Sequence, residues 1–144
     1  MYLQTARYVL KGYLGFITKG KKLADSVSYI TRLQDMSETK FVGKNPWSVE
    51  ELRDLLVKAV GHVVGIIGAR IGSKKPGETE MDIINYRVGI RLQQLAQLHG
   101  LHFMTDEFVK AIQAQTNPEI KQVLTDLCKL FAIGQIQRLA EPII

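Results

Sequence analysis

The sequence predicts an all-α fold, a helical bundle. Three observations carry that prediction. Apolar residues recur every three or four positions along four separate stretches. Three of those stretches open on a recognisable helix-start signal. The chain shows neither a strand-type alternation nor a repeat at solenoid spacing, so a bundle is the architecture left.

The first helix is expected from about Tyr2 to Thr18. Leu3, Ala6, Val9, Leu10, Tyr13, Leu14 and Ile17 follow helical spacing almost from the first residue. No Ser, Thr, Asp or Asn precedes them as a cap. Residues 19–47 then connect. Gly20, Gly43 and Pro46 break the periodicity, and the stretch is long for a structureless link. Within it "LADSVSYI" has the pattern of a short helix.

The second helix has a clear start. Ser48 followed by Glu51 forms a capping box, in which each side chain satisfies an orphan backbone N–H. Leu52, Leu55, Leu56, Ala59, Val60, Val63, Val64, Ile67 and Ile71 then make a face broad enough to be buried on several sides. Gly61, Gly65, Gly68 and Gly72 recur at intervals of three or four. Each costs a helix ~1 kcal/mol relative to Ala. Close approach of a neighbouring helix would offset that, and is expected here.

"GSKKPGETE" reads as a turn. Thr79 and Asp82 give a weaker capping signal for a third helix. It carries Ile84, Val88, Leu92, Leu95, Ala96, His99, His102 and Phe103, and continues through Phe108, Val109 and Ile112 to about Gln115. The fourth helix starts at "TNPE", where Asn117 caps, Pro118 takes the first position and Glu119 complements the dipole. It should bury Ile120, Val123, Leu124, Leu127, Cys128, Phe131, Ile136 and Leu139, and stop near Glu141-Pro142. The whole chain, 1–144, is expected to be one helical domain: a lead-in helix at 1–18, a connector at 19–47 and a bundle at 48–142.

Composition narrows the function class. The 144 residues are 46% hydrophobic and 23% charged, which is a globular balance. Net charge is +5, which permits an anionic partner without requiring one. The single cysteine, Cys128, cannot form an internal disulfide, which fits a reducing compartment or a peroxisome-like interior. Lys19, Lys21 and Lys22 follow the first apolar helix, the reverse of a signal peptide. "AVGHVVGIIGA" is too short to span a membrane and contains His62. A soluble intracellular protein is expected.

Candidate chemistry is sparse. His99 and His102 lie three apart on one helical face, with His62 elsewhere. Without a third ligand at matching spacing they read as packed polar residues, and no metal site is expected. Cys128 sits in the core stripe among Leu124, Leu127 and Phe131 and should be inert. The clusters Lys19/Lys21/Lys22 and Lys74/Lys75 fall at helix ends or in loops, where they suit helix C-termini. Tyr8, Tyr13 and Phe16 beside the first cluster could stack on bases, but Tyr13 already belongs to the apolar periodicity. Gly12, Gly15 and Gly20 do not follow a strand, so a dinucleotide-binding loop fails on context.

Four blocks carry a family resemblance. "LQTARYVLKGY" resembles the segment that follows the catalytic Glu-Gly pair in peroxisomal acyl-CoA oxidases, with Gln4, Thr5, Ala6, Arg7, Tyr8 and Lys11 matching in order. "KGKKLADSVSYI" resembles that family's Gly-Lys segment ending in Val-Ser-Tyr-Leu. "AQLHGLHFMTDEF" resembles its Ala-x-x-His stretch, with a Phe nine residues after the His. "VLTDLCKLFAI" resembles its Leu-x-x-Leu-Cys-x-Leu helix. The family's Gly-Asp-Phe-Leu region and its peroxisomal address are not in this chain, which ends "AEPII".

The resemblance implies a fragment: the start of the oxidase's C-terminal α-domain and the helix leading into it. The first helix then lacks its own start because the catalytic Glu lies upstream of Met1. The parent would use FAD to dehydrogenate a fatty acyl-CoA to a trans-2-enoyl-CoA, with O2 reduced to H2O2, in the peroxisome. No catalytic, cofactor-binding or metal residue is assigned in this chain. Its expected role is structural, as part of a homodimer that contacts acyl-CoA and FAD only through the parent, with the isolated chain inactive and not binding FAD tightly. The alternative is a stand-alone, non-enzymatic helical interaction module. A nucleic-acid-binding bundle ranks below both, because the positive charge forms no continuous stripe.

Overall fold

A computed structural model describes residues 1–33 and 47–139. The expected breaks at Gly43 and Pro46, and the stop at Glu141-Pro142, lie outside the described residues. Among the described residues the regular structure is helical, as expected.

Helix α1 spans Tyr2–Lys19 and lacks a side-chain N-cap. It ends on Gly20 in the left-handed region (φ 58°), whose N–H reaches back to the Phe16 carbonyl. That conformation favours glycine and closes the helix cleanly. The connector's helical stretch is a 3₁₀ helix, Asp25–Arg32, which buries Val27, Tyr29 and Ile30.

Helix α2, Val49–Gly72, forms the predicted capping box at Ser48 and Glu51. It buries ten residues and supplies the centre of the core. Leu56, Val57, Val60, Val63 and Ile67 are wholly enclosed. By length and composition α2 could cross a membrane. Its buried face, packed against α3, α4 and the 3₁₀ helix, reads it instead as a core helix.

The glycine ridge corrects an expectation. Gly61 does meet a neighbour, with Leu33 about 3.3 Å from where a Cβ would stand. Gly65, Gly68 and Gly72 have nothing within 4 Å among the described residues. Instead of a neighbouring helix, they face an open groove beside α1, and Ile71 is exposed rather than buried.

The third helical stretch is interrupted. Thr79 and Asp82 cap a single turn, Glu80–Asp82, and six residues of π-helix, Ile83–Val88, follow before α3, Gly89–Ala114. The wider π turn brings the Ile84 carbonyl oxygen to 2.8 Å from where a Cβ on residue 89 would be, so the site needs glycine. Arg87 fastens the preceding turn, donating to the Ser73 carbonyl and to Glu78.

Helix α4, Pro118–Arg138, starts as predicted, with Asn117 Oδ1 accepting from the Glu119 and Ile120 N–H groups. Its burial does not follow the prediction. Only Cys128 and Ala132 are fully buried. Leu124, Phe131, Ile136 and Leu139 pack partly against the core, whereas Ile120, Val123 and Leu127 face outward with Leu130 and Ile133. Helix α4 lies at the edge of the bundle, covering α3 and the start of α2, so one side of it has nothing among the described residues to pack on.

Candidate functional site

Among the described residues, two hollows stand beside the core. The first is a polar cleft of about 290 Å³ between the 3₁₀ helix, α2 and α3. It is built on Tyr29, which the 3₁₀ turn inserts into the protein interior. Its ring lies 4.0 Å from that of His102, tilted by 32°, and 5.8 Å from that of His99. Tyr29 Oη and His99 Nδ1 are 2.9 Å apart.

Protonation follows from burial. Desolvation raises the Tyr29 pKa far above its ordinary value, so the phenol keeps its proton. The same cause lowers His99. A neutral His99 with its proton on Nε2 accepts from the Tyr29 O–H. His102 is pushed down to about 4, chiefly by burial, with Asp106 opposing and Arg53 reinforcing. Its Nδ1 is buried with no hydrogen-bond partner among the described residues. Such an orphan costs about 1–3 kcal/mol.

The charges around this cleft neutralise one another. Arg32 pairs with Asp54 at 3.1 Å, and Arg53 with Asp106 at 3.2 Å. Lys110 reaches Asp106 at 2.9 Å and Glu107 at 2.8 Å. Burial works to raise the Asp106 pKa, but Lys110, His102 and Arg53 together hold the carboxyl below its usual range. The network ties the 3₁₀ helix to α2 and α3. Among the described residues, the cleft's Arg32, Arg53 and Lys110 are each paired with a carboxylate.

The second hollow is the apolar groove of about 790 Å³ between α1 and α2. Leu10, Leu14 and Ile17 form one wall, and Val64, Gly65 and Gly68 belong to the other. Lys58 and His62 also line it. The three histidines are therefore divided, with His99 and His102 together at the cleft and His62 in the groove. Among the described residues no group of three His, Cys, Asp or Glu side chains could hold a metal ion. Cys128 is buried, and desolvation, with Glu50 adding to it, pushes its thiol pKa up, away from a nucleophilic thiolate. Lys19 ends α1, where it complements the helix dipole, and Lys74 and Lys75 stand in the exposed turn after α2. Tyr13 packs against the core, whereas Tyr8 is exposed and lies 3.5 Å from Ser26.

The composition of the cleft was not visible as a site in the sequence. Tyr29 and His99 are 70 residues apart. Arg53 and Asp106 sit on different helices with no motif between them. One signal existed: Tyr29 lies in the "VSYI" block and His99 ends the "AQLH" block, and the hydrogen bond joins the two.

The fold and cleft define a helical bundle with a buried Tyr29–His99–His102 cluster ringed by ion pairs. A profile of the acyl-CoA oxidase family matches residues 48–143. The chain belongs to the acyl-CoA oxidase family. No curated protein and no solved structure matches the chain.

Proposed function

We propose that this chain serves as a scaffold segment of an acyl-CoA oxidase. The reaction is the conversion of a fatty acyl-CoA and O2 into a trans-2-enoyl-CoA and H2O2, the entry to peroxisomal fatty-acid β-oxidation. FAD is the redox cofactor that such an oxidase employs. The polar cleft does not fit it: a pyrophosphate there would meet Asp25, Asp106 and Glu107, and the cleft's arginines and lysine are engaged. No step of the chemistry is assigned to a residue of this chain. Its work is to hold α1, whose "LQTARYVLK" resembles the run that follows the family's catalytic Glu-Gly, and to contribute to a homodimer as a single helical domain, 1–144.

The observation that carries this reading is the family match over 96 of 144 residues, 48 to 143 inclusive. The meeting of the Tyr29 and His99 blocks supports it. Two experiments test it. Reading the transcript upstream of the Met1 codon should show an open frame encoding Glu-Gly-Asp/Glu-Asn-Thr. An in-frame stop there would favour the stand-alone interaction module. The purified chain mixed with FAD and palmitoyl-CoA should release no peroxide, and peroxide release would overturn the scaffold role.

A further inference from the structure

Charge is unevenly placed along this chain. Of its 19 lysines and arginines, five lie in residues 1–24: Arg7, Lys11, Lys19, Lys21 and Lys22. All 14 acidic residues come later and match the other cations in number, so the net charge of +5 belongs to α1 and the short link behind it. In the rest of the bundle cations are set against carboxylates, as in Arg32 with Asp54, Arg53 with Asp106 and Arg87 with Glu78. Among the described residues none of the five has such a partner, and all five are exposed. The turn at Gly20 folds Lys21 back along α1, with its stem 3.5 Å from where a Cβ on Gly15 would stand.

Apolar side chains interleave with these cations. Leu3, Leu14 and Ile17 are 40%, 55% and 42% exposed and share the outward side of α1 with Arg7 and Lys11. Tyr2 and Tyr8 are exposed as well. The opposite side of the helix, bearing Ala6 and Val9, is buried in the bundle. We propose that α1 and the lysines behind it form a docking face for an anionic phospholipid surface. The helix lies flat on the surface with the bundle above it. Leu3, Leu14 and Ile17 enter the boundary between headgroups and acyl chains, and the long stems of Arg7, Lys11 and Lys21 carry their charges back up to the lipid phosphates. Tyrosine rings suit the same depth, where one end is apolar and the other wet. A nucleic acid also offers phosphates, but three aliphatic side chains give its bases no face to stack on. Charge supplies the attraction, so the contact is peripheral and reversible. It does not depend on the scaffold role.

Co-sedimentation of the full chain with vesicles tests this face. The chain should pellet with vesicles of phosphatidylcholine and phosphatidylglycerol in equal parts. It should stay in solution with phosphatidylcholine alone, and added salt should release it from the mixed vesicles. Lys19→Gln, Lys21→Gln and Lys22→Gln together should weaken binding about 100-fold, at roughly fivefold for each cation at the surface. Lys74→Gln with Lys75→Gln removes exposed charge from the turn after α2 and should change binding by less than about twofold. Leu14→Gln should weaken binding about fivefold or more, because it withdraws an inserted aliphatic side chain. All six side chains are exposed, so circular dichroism should show unchanged helix in every variant. Equal pelleting with both kinds of vesicle, or none with either, overturns the proposal. So does a Lys74/Lys75 variant that loses as much binding as the triple variant, since net charge and not this face would then be responsible. Unchanged binding by Leu14→Gln overturns the lipid assignment, and tight binding of a single-stranded oligonucleotide would then make the patch a nucleic-acid face.

Discussion

Helices α2 and α4 differ less in sequence than in burial. Both carry an apolar residue at nearly every third or fourth position, and both begin on a well-formed cap. Helix α2 buries ten residues and α4 buries two. Helix α2 lies at the centre, so its broad face meets α3, α4 and the 3₁₀ helix. Helix α4 lies at the edge, where only the side bearing Cys128 and Ala132 is enclosed. Periodicity reports that a helix has an apolar face. Its place in the bundle decides how much of that face is used.

The contrast can be broken most sharply by truncation. Leu56 is wholly enclosed, and Leu56→Ala should destabilise the chain by about 2–5 kcal/mol in urea unfolding. Leu130→Ala on α4 should change monomer stability by less than about 0.5 kcal/mol. Equal losses would mean that the outer face of α4 is packed within one chain.

A smaller effect should come from the cleft that joins the 3₁₀ helix to α3. His102 titrates near 6.5 when unfolded and near 4 when folded. Between those values the unfolded chain holds more protons, so this contribution is full above pH 6.5 and is lost as the pH falls towards 4. The loss is about 3 kcal/mol. His102→Phe keeps a ring against Tyr29 and removes both the titration and the orphaned Nδ1. Its stability should fall less steeply than the parent's over that window, by thermal unfolding in a pH series. Parallel curves would show that His102 does not carry the dependence.

Smaller still are the effects at the ends and the open side of α2. Ser48→Ala removes the capping oxygen from the Glu51 N–H and should cost ~1 kcal/mol. Gly65→Ala should stabilise by up to ~1 kcal/mol, because nothing among the described residues stands within 4 Å of the new methyl group. A destabilising Gly65→Ala would indicate that the groove is filled in solution, and chemical denaturation of the two variants reads both signs.

The sequence by itself determined the helices and most of their ends. Ser48 with Glu51, Thr79 with Asp82, and Asn117 with Pro118 are local signals, because a cap bonds backbone groups within three residues. The family was legible too, in the "AQLH" and "VLTDLCKLFAI" blocks, which lie within the matched residues. The π-helix before α3 was not: Gly89 looked like any other helical glycine until the Ile84 carbonyl was seen against it. Nor was the Tyr29–His99–His102 cluster legible as a site, since its parts come together only when the 3₁₀ helix docks on α3. Tertiary structure alone decided that the α2 glycines face a groove and that the α4 aliphatics face outward. Both outcomes depend on where each helix sits among its neighbours, and hydrophobic periodicity, a property of one helix at a time, contains no information about that.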